Sequence, residues 1–457
     1  MLTRSSWSRW QFIILSGCAL FVLYFFGLTR TGLLGPDEPR YAAIGRAMAQ
    51  TGDWITPRLW GQPWFEKSTL LYWMTAAGFK LGLGQDLAPR LPVALASVAF
   101  LVYFFLVLRR EFGDQAALYA TGVLATSAGW LAYSHVAVPD LPLSASFAAA
   151  MLSIMRGRGS IAAGALLGIA ILAKGLVPVV LFVPALWFLR RQVRDVFLML
   201  AAALVVAAPW YILVTLRNGA PFLEDFFWKQ QFTRFVSGEL LHDRPFWFYP
   251  PVLLAGLFPW SPLVLLLFSK RLYQDRRAQF LLAWFAFGFV FFSLSRGKLP
   301  GYLLPLLPPV AALLGIALQQ ARERSAGTMC LVAVCAGLPW LVPSIQELLP
   351  QALVSGLTRS HFHLAAEWLV PAFLAILACA WLERAGRRAT AFAFVTLLTT
   401  ASVFQLVWRG YPLLDRQASA RVRWLSSAGS ITCISEANAS WRYGLDYYTG
   451  QELPDCN

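Results

Sequence analysis

Apolar runs of 14 to 21 residues, separated by short charged connections, recur along the whole 457-residue chain. They fall at 11–29, 88–108, 115–133, 138–155, 160–174, 176–189, 196–216, 249–269, 279–295, 301–320, 327–347, 366–383 and 389–408. An upright helix needs roughly 20 residues to cross a bilayer, so several of these runs suffice and the shortest fall below that length. The pattern predicts an all-α integral membrane protein of about thirteen transmembrane helices. Two longer polar connections interrupt it, 30–87 and 217–248, and a tail follows at 409–457.

Within the first connection the periodicity changes. Tyr41, Ile44 and Met48 recur at i, i+3 and i+7, with Asp37 at the N-cap position, Pro39 in the first turn and Gly52 as terminator. This predicts an interfacial helix over 37–51. A turn-rich aromatic stretch, Trp54 to Trp64, leads to Phe65-Glu66-Lys67, and the short apolar segment Leu70–Leu83 reads as a second interfacial or re-entrant helix. If that segment crossed the bilayer instead, the tail would change sides. The tail is too small for much of a core. Its strand-like run Ser430–Ile434 and its aromatic group Trp441, Tyr443, Tyr447 and Tyr448 predict a small cap packed on the membrane domain.

Composition agrees with a lipid environment. Hydrophobic residues make up 58% and charged residues only 13%, against about 25% charged in ordinary soluble domains. The net charge of +15 invites a nucleic-acid reading, but its placement argues otherwise. The connections 1–10, 109–114, 156–159, 190–195, 270–278, 321–326 and 384–388 hold 18 of the 38 Lys and Arg in 46 residues. Short basic loops of this kind mark the cytoplasmic side of an inner membrane. The N-terminus is then cytoplasmic and the tail external, and most of the acids gather on the outer face.

The run Leu15-Ser16-Gly17-Cys18 has the look of a lipoprotein cleavage site. However, the apolar stretch before Cys18 is short and continues well past it, so the first span reads as a signal anchor. Cys18, Cys330, Cys335 and Cys379 lie in spans and read as apolar filler. Cys433 and Cys456 fall in the outer tail, where either a disulfide or two free thiols fit the sequence. His135, His242, His361 and His363 show no zinc spacing. No metal ligand is assigned, which leaves a divalent cation open.

The residues suited to chemistry sit at the outer span ends. Asp37 and Glu38 follow the first span; a cap and a general base are compatible roles for Asp37. Asp140, in Val138-Pro139-Asp140-Leu141-Pro142, is a carboxylate at a membrane boundary with no basic residue nearby, costly unless used. Lys174 stands alone between two spans, where it snorkels or meets an anionic ligand. Arg296 and Lys298 break the positive-inside rule. With Arg40, Lys67 and Arg234 they supply an outer cation cluster fitted to phosphate. Carboxylates beside cations suit a displacement in which a lipid phosphate leaves a sugar carbon. The cations stabilise the leaving charge and a carboxylate takes the acceptor's proton.

Gly35-Pro-Asp-Glu-Pro-Arg-Tyr41, Gly52-Asp-Trp-Ile-Thr-Pro-Arg58, and Phe65-Glu-Lys67 followed by Leu-Leu-Tyr-Trp73 resemble the lipid A aminoarabinose transferases and their protein O-mannosyltransferase relatives, the membrane glycosyltransferases of type C. Val138-Pro-Asp140-Leu-Pro, Ala173-Lys-Gly175, Phe232-Thr-Arg-Phe235, Phe258-Pro-Trp260 and Lys298-Leu-Pro-Gly-Tyr302 continue the likeness in order over residues 10–320. The resemblance implies a catalytic Asp37 with Glu38 beside it. It also implies Arg40, Lys67, Arg234, Lys298 and Tyr302 around the carrier phosphate, with Asp140 and Glu66 in support; Arg58 and Lys174, inside the same motifs, join the expected substrate-binding set. Three features depart from the pattern: Ser68 stands where many relatives have Pro, Gln230 and Gln231 replace acidic, Asn or His residues, and the tail is short.

The expectation is therefore an inverting glycosyltransferase that takes its sugar from a polyprenyl-phosphate carrier. Its acceptor would be an envelope lipid, glycan or protein at the outer face of a bacterial inner membrane. Residues 1–408 would form the membrane domain, with the outer loops 30–87 and 217–248 shaping the site, and 409–457 the outer cap. The alternative is a lipid or glycan transporter, whose mark would be ionisable residues near the bilayer midplane in two related halves. The charges lie at span ends, and no matching halves are seen.

Overall fold

The computed structural model describes residues 9–157, 159–233, 244–322, 325–346, 348–355, 365–427, 430–435 and 438–456. The chain opens with α1 (Arg9–Tyr24) and reaches α2 (Asp37–Thr51) through a non-helical segment. A two-residue hairpin, β1 (Arg58–Leu59) against β2 (Gln62–Pro63), follows, with Arg58 opposite Pro63 and Leu59 opposite Gln62. Then come α3 (Leu70–Lys80), α4 (Gly84–Phe112), α5 (Asp114–Thr126), α6 (Ala128–Ser134), α7 (Asp140–Met155), α8 (Ser160–Lys174), α9 (Val177–Leu181), α10 (Val183–Leu189) and α11 (Val193–Asn218). The second half contributes α12 (Tyr249–Gly256), α13 (Arg276–Leu294), α14 (Leu307–Gln320), α15 (Ala326–Gly337), α16 (Leu369–Arg384) and α17 (Arg388–Gln405). The tail adds α18 (Tyr411–Ala418), α19 (Ala420–Ser426) and α20 (Ala439–Thr449).

Among the described residues, seven helices are long and apolar enough to cross a membrane, or eight if the pair Phe246–Gly256 and Ser261–Phe268, bent by 112°, makes one crossing. Thirteen full-length spans are thus not what the structure shows. Ile14–Tyr24, α7, α8 and Val177–Leu189 are apolar but shorter. The expected 115–133 span breaks at Ser127 into α5 and α6, and the expected 176–189 span breaks at Phe182 into two helices with Pro near each start. Proline at those positions fits a first turn but cannot continue a helix from the turn before. The hairpin is a small exception to an all-helical chain.

The bundle is built outward from α7 and α14. Every residue of α14 from Leu307 to Leu318 is buried, as is α7 from Leu141 to Ser153. By contrast α11 turns Phe197, Leu204, Val205, Ile212 and Leu216 outward, an apolar surface that lipid would cover favourably. Small residues let helices meet at backbone distance. A Cβ on Gly164 would lie 2.1 Å from the Met199 carbonyl oxygen, bringing α8 onto α11, and one on Gly315 would lie 2.6 Å from that of Ala116, bringing α14 onto α5.

The helix over 37–51 forms as expected, with Tyr41, Ile44 and Met48 buried and Gly52 ending it at φ 72°. Its start differs. Pro36 occupies the cap position and Asp37 is the first helical residue, with no side-chain capping bond. Asp37 instead turns to Arg40, one turn on. In the tail, Ser430–Ile434 makes no strand; Ile434 forms a single bridge to Asp455, and Cys433 is disulfide-bonded to Cys456 with their Cα atoms 5.0 Å apart.

Candidate active site

Two neighbouring carboxylates, Asp37 and Glu38, have opposite surroundings. Glu38 is fully buried and saturated. Its Oε1 accepts from Arg90 Nε at 2.7 Å and the Ala137 amide at 2.9 Å; its Oε2 accepts from Arg90 Nη2 at 2.7 Å and the Leu34 amide at 2.8 Å. Arg90, only 1% exposed, also donates to the carbonyls of Leu28, Thr31 and Gly32. The segment 28–38 therefore wraps around one guanidinium from α4. Sequence reasoning missed Arg90. The signal was a lone cation in Ala88-Pro-Arg-Leu-Pro92 at an outer span end, the argument applied to Asp140 and Lys174.

Asp37 has a side chain 49% exposed and paired with Arg40. Arg40 Nη2 also lies 3.1 Å from Glu66 Oε2, and Glu66 Oε1 accepts from Lys67 Nζ at 2.9 Å. The result is a row of alternating charge, Asp37, Arg40, Glu66, Lys67. Burial disfavours the Arg40 charge, but Glu66 first, then Tyr41 and Asp37, outweigh it and hold the guanidinium protonated well above its ordinary value. The Arg40 guanidinium carbon also sits 5.5 Å from the Trp64 ring and 5.1 Å from the Tyr443 ring of the tail.

A second pair forms where α7 begins and α8 ends. Lys174 Nζ lies 2.6 Å from Asp140 Oδ1 and 4.7 Å from the centroid of the Tyr302 ring. Each charge also complements the helix dipole at its own end. Gly301 makes the approach feasible, since a Cβ there would lie 2.8 Å from Asp140 Oδ1 and 2.6 Å from the Tyr133 hydroxyl. Both pairs meet in one cavity of about 100 Å³. Glu66, Lys67, Asp140, Lys174, Tyr302 and Ser68 line it, with an apolar wall from Phe226, Phe291 and Phe292. Ser68 Oγ is 3.0 Å from the Tyr211 hydroxyl, so the residue that departs from the expected proline faces the cavity with a polar partner.

The other expected residues lie elsewhere. Asp37 and Arg40 form the end of the row away from the cavity and do not line it, although Asp37 and Asp140 both lie close enough to Tyr133 to act on it electrostatically. Lys298 is buried, donating to the Arg244 carbonyl at 3.0 Å and to that of Ser295. Arg58 stands on the exposed hairpin, bonded to the Gly61 carbonyl and 3.9 Å from Asp53. Arg234, with His242, His361 and His363, lies outside the described residues. Among the described residues no three His, Cys, Asp or Glu side chains come together as a metal site would require.

A multi-pass helical membrane protein with a charged cavity between helix ends, flanked by a helix bearing Asp37, is the class these features define. Residues 66–213 match the family described as dolichyl-phosphate-mannose-protein mannosyltransferase. An undecaprenyl phosphate-alpha-4-amino-4-deoxy-L-arabinose arabinosyl transferase of Pseudomonas aeruginosa strain UCBPP-PA14 is 35% identical over 342 residues, 70% of this chain and 61% of that protein. The transferase of the same description from Aeromonas salmonicida strain A449 is 33% identical over 409 residues, 82% of this chain and 73% of its own. The chain belongs to the family of these arabinosyl transferases, as the ordered motifs from Asp37 to Tyr302 led us to expect. It spans about three fifths of the length of the Pseudomonas relatives. Among solved structures, ArnT from Cupriavidus metallidurans bound to undecaprenyl phosphate superposes with TM-score 0.79 at 27% identity, covering 98% of this chain and 86% of that one. The oligosaccharyltransferase AglB from Archaeoglobus fulgidus shares the fold at TM-score 0.53 and 13% identity, covering 97% of this chain and 59% of its own.

Proposed function

We propose that this protein is an inverting glycosyltransferase. It moves a sugar, with 4-amino-4-deoxy-arabinose the first candidate from its relatives' names, from an undecaprenyl-phosphate carrier to an envelope lipid, glycan or protein. The observation that carries this reading is the charge row from Asp37 to Lys67 running to a cavity that also holds Asp140, Lys174 and Tyr302. The acceptor oxygen or nitrogen attacks the anomeric carbon and gives its proton to Asp37. The bond from that carbon to phosphate oxygen breaks, and undecaprenyl phosphate leaves with one more negative charge than it carried as a diester. Arg40, Lys67 and Lys174 stabilise that charge, while Glu66 and Asp140 hold them in place until phosphate arrives. One displacement at one face inverts the centre.

In this reading Glu38, whose acceptor sites are filled, anchors the segment that presents Asp37 and does no proton chemistry itself. Lys298 sets the turn that delivers Tyr302, Arg58 sits at the rim, and Arg234 keeps its phosphate role on the resemblance alone. No resident metal takes part in this proposal. We place the protein in the bacterial inner membrane, with thirteen crossings, a cytoplasmic N-terminus and a periplasmic tail. The short apolar helices, α5 with α6 and the bent pair complete the count. Contacts between connections support this topology. Arg277 pairs with Glu111, Arg388 bonds the Leu318 and Ala321 carbonyls, and Ser160 bonds Asp195, all at ends assigned to the cytoplasm. Asp53 pairs with Arg217 at the opposite end. The tail disulfide fits an oxidising compartment. Residues 1–408 act as the membrane domain and 409–457 as the cap.

The test is mass spectrometry of lipid-linked sugars and envelope glycans in a deletion strain complemented with wild type or Asp37→Asn. Accumulation of one carrier-linked sugar, with loss of one residue from a glycan or lipid and rescue by wild type only, is the expected result. No change in either pool would refute the reading.

A further inference from the structure

The segment 28–34 has no helix or strand of its own, yet its carbonyls from Leu28 to Gly32 and its Gly32 and Leu33 amides are all held by distant side chains. Arg90 and Glu38 hold one side. The tail holds the other. The Tyr448 hydroxyl accepts from the Leu33 amide at 2.8 Å and donates to Asp86 Oδ1 at 2.7 Å. Arg421 donates to the Thr29 and Arg30 carbonyls and pairs with Asp86 at 2.7 Å and Asp415 at 2.6 Å, while Asp415 Oδ1 accepts from the Gly32 amide at 2.7 Å. Gly32 permits this closeness, because a Cβ there would lie 2.2 Å from Ser419 Oγ and 2.6 Å from the Tyr448 hydroxyl.

The helix that carries Tyr448, α20, is itself closed into a loop. The Cys433–Cys456 disulfide spans it, and the Ile434 amide donates to the Pro454 carbonyl while the Cys456 amide returns to Ile434. The same helix places the Tyr443 ring over Arg40, the partner of Asp37. Thus the tail touches both the backbone leading into Asp37 and the cation beside it.

We propose that the disulfide-closed tail is a positioning element of the active centre, with Tyr448 and Arg421 as positioning residues that fix segment 28–36 and so the placement of Asp37. This rests on the role of Asp37 given above. A carboxylate base must sit within hydrogen-bond reach of the proton it takes, and displacement by about an ångström costs on the order of 100-fold in rate. Loosening one clamp should act mainly on turnover and little on donor binding, since the cavity cations Lys67 and Lys174 have other supports.

The test uses the full chain, purified in lipid nanodiscs, as wild type, Tyr448→Phe, Arg421→Lys and the paired Cys433→Ser, Cys456→Ser change. Transfer from a lipid-linked sugar, thermal melting and amide hydrogen exchange are read on each. For Tyr448→Phe we expect kcat to fall about tenfold per folded enzyme, equivalent to about 1.4 kcal/mol, with donor KM within about twofold. Exchange should speed up in 28–36 ahead of any global loss of structure. Arg421→Lys and the serine pair should fall in the same direction. Wild-type kcat together with unchanged exchange in Tyr448→Phe would overturn the proposal. Faster exchange in Tyr448→Phe beside an inactive wild type would keep the clamp and overturn the assigned reaction instead.

Discussion

Glu38→Gln should unfold the chain far more readily than any change at its neighbour Asp37. The substitution keeps volume and removes charge, but the buried geometry leaves no good placement for the new amide. Each Glu38 oxygen accepts one bond from Arg90 and one from a backbone amide, at 2.7–2.9 Å. Whichever way the amide turns, its NH₂ faces two donors, and Arg90 is left charged and buried with only carbonyl partners. Removing one member of a buried pair costs about 3–5 kcal/mol, a large part of the roughly 5–15 kcal/mol by which proteins are stable. Thermal melting of the purified chain, followed by tryptophan fluorescence, should show a clear fall for Glu38→Gln and for Arg90→Gln. The joint change Glu38→Leu, Arg90→Met should recover part of the loss, because no buried charge remains. A Glu38→Gln protein that melts with wild type would refute the reasoning. If it did so while losing transfer, Glu38 would belong to the chemistry.

Asp37→Asn should lower kcat by about 10²–10⁴-fold, the range for a lost general base, with melting unchanged because the side chain is half exposed. Gly301→Ala should impair transfer with little loss of membrane insertion, since its Cβ would meet Asp140 Oδ1 and the Tyr133 hydroxyl; unaltered turnover would contradict the close approach. Lys174→Met should weaken binding of undecaprenyl phosphate, read by native mass spectrometry, and equal affinity would remove Lys174 from the phosphate site. His135, in the connection after α6, is pushed down to about 4 by burial, while its Nε2 donates to the Leu23 carbonyl at 2.7 Å. The folded protein thus keeps it neutral where the unfolded chain, near the usual 6.5, binds a proton. Stability should fall as pH drops from about 6.5 to 4, by up to about 3 kcal/mol, and His135→Phe should flatten that slope.

What could be read from the chain followed the physics of local pattern. The helix over 37–51 announced itself through Tyr41, Ile44, Met48 and Gly52, because periodicity and a terminating glycine are local signals. Asp140 and Lys174 stood out as polar groups at apolar ends, Tyr302 came in only through the family resemblance, and the fold brings the three together. Hydropathy could not reveal the breaks at Ser127 and Phe182, since a broken span buries the same apolar residues as a straight one. Nor could it reveal which lone cation is structural. Arg90 and Lys298 read like Lys174 in sequence, but their donors are taken by Glu38 and by carbonyls reached only through folding. The tail's hold on Leu33 joins residues more than four hundred positions apart, beyond any local pattern.

The most direct test of the account is transfer by the purified full chain from undecaprenyl-phosphate-linked aminoarabinose to an envelope lipid extract, with wild type and Asp37→Asn side by side. Wild type should yield a glycosylated product of inverted anomeric configuration and released undecaprenyl phosphate, and Asp37→Asn neither at equal folded protein. Product with retained configuration, or equal turnover by Asp37→Asn, would contradict a single displacement driven by Asp37.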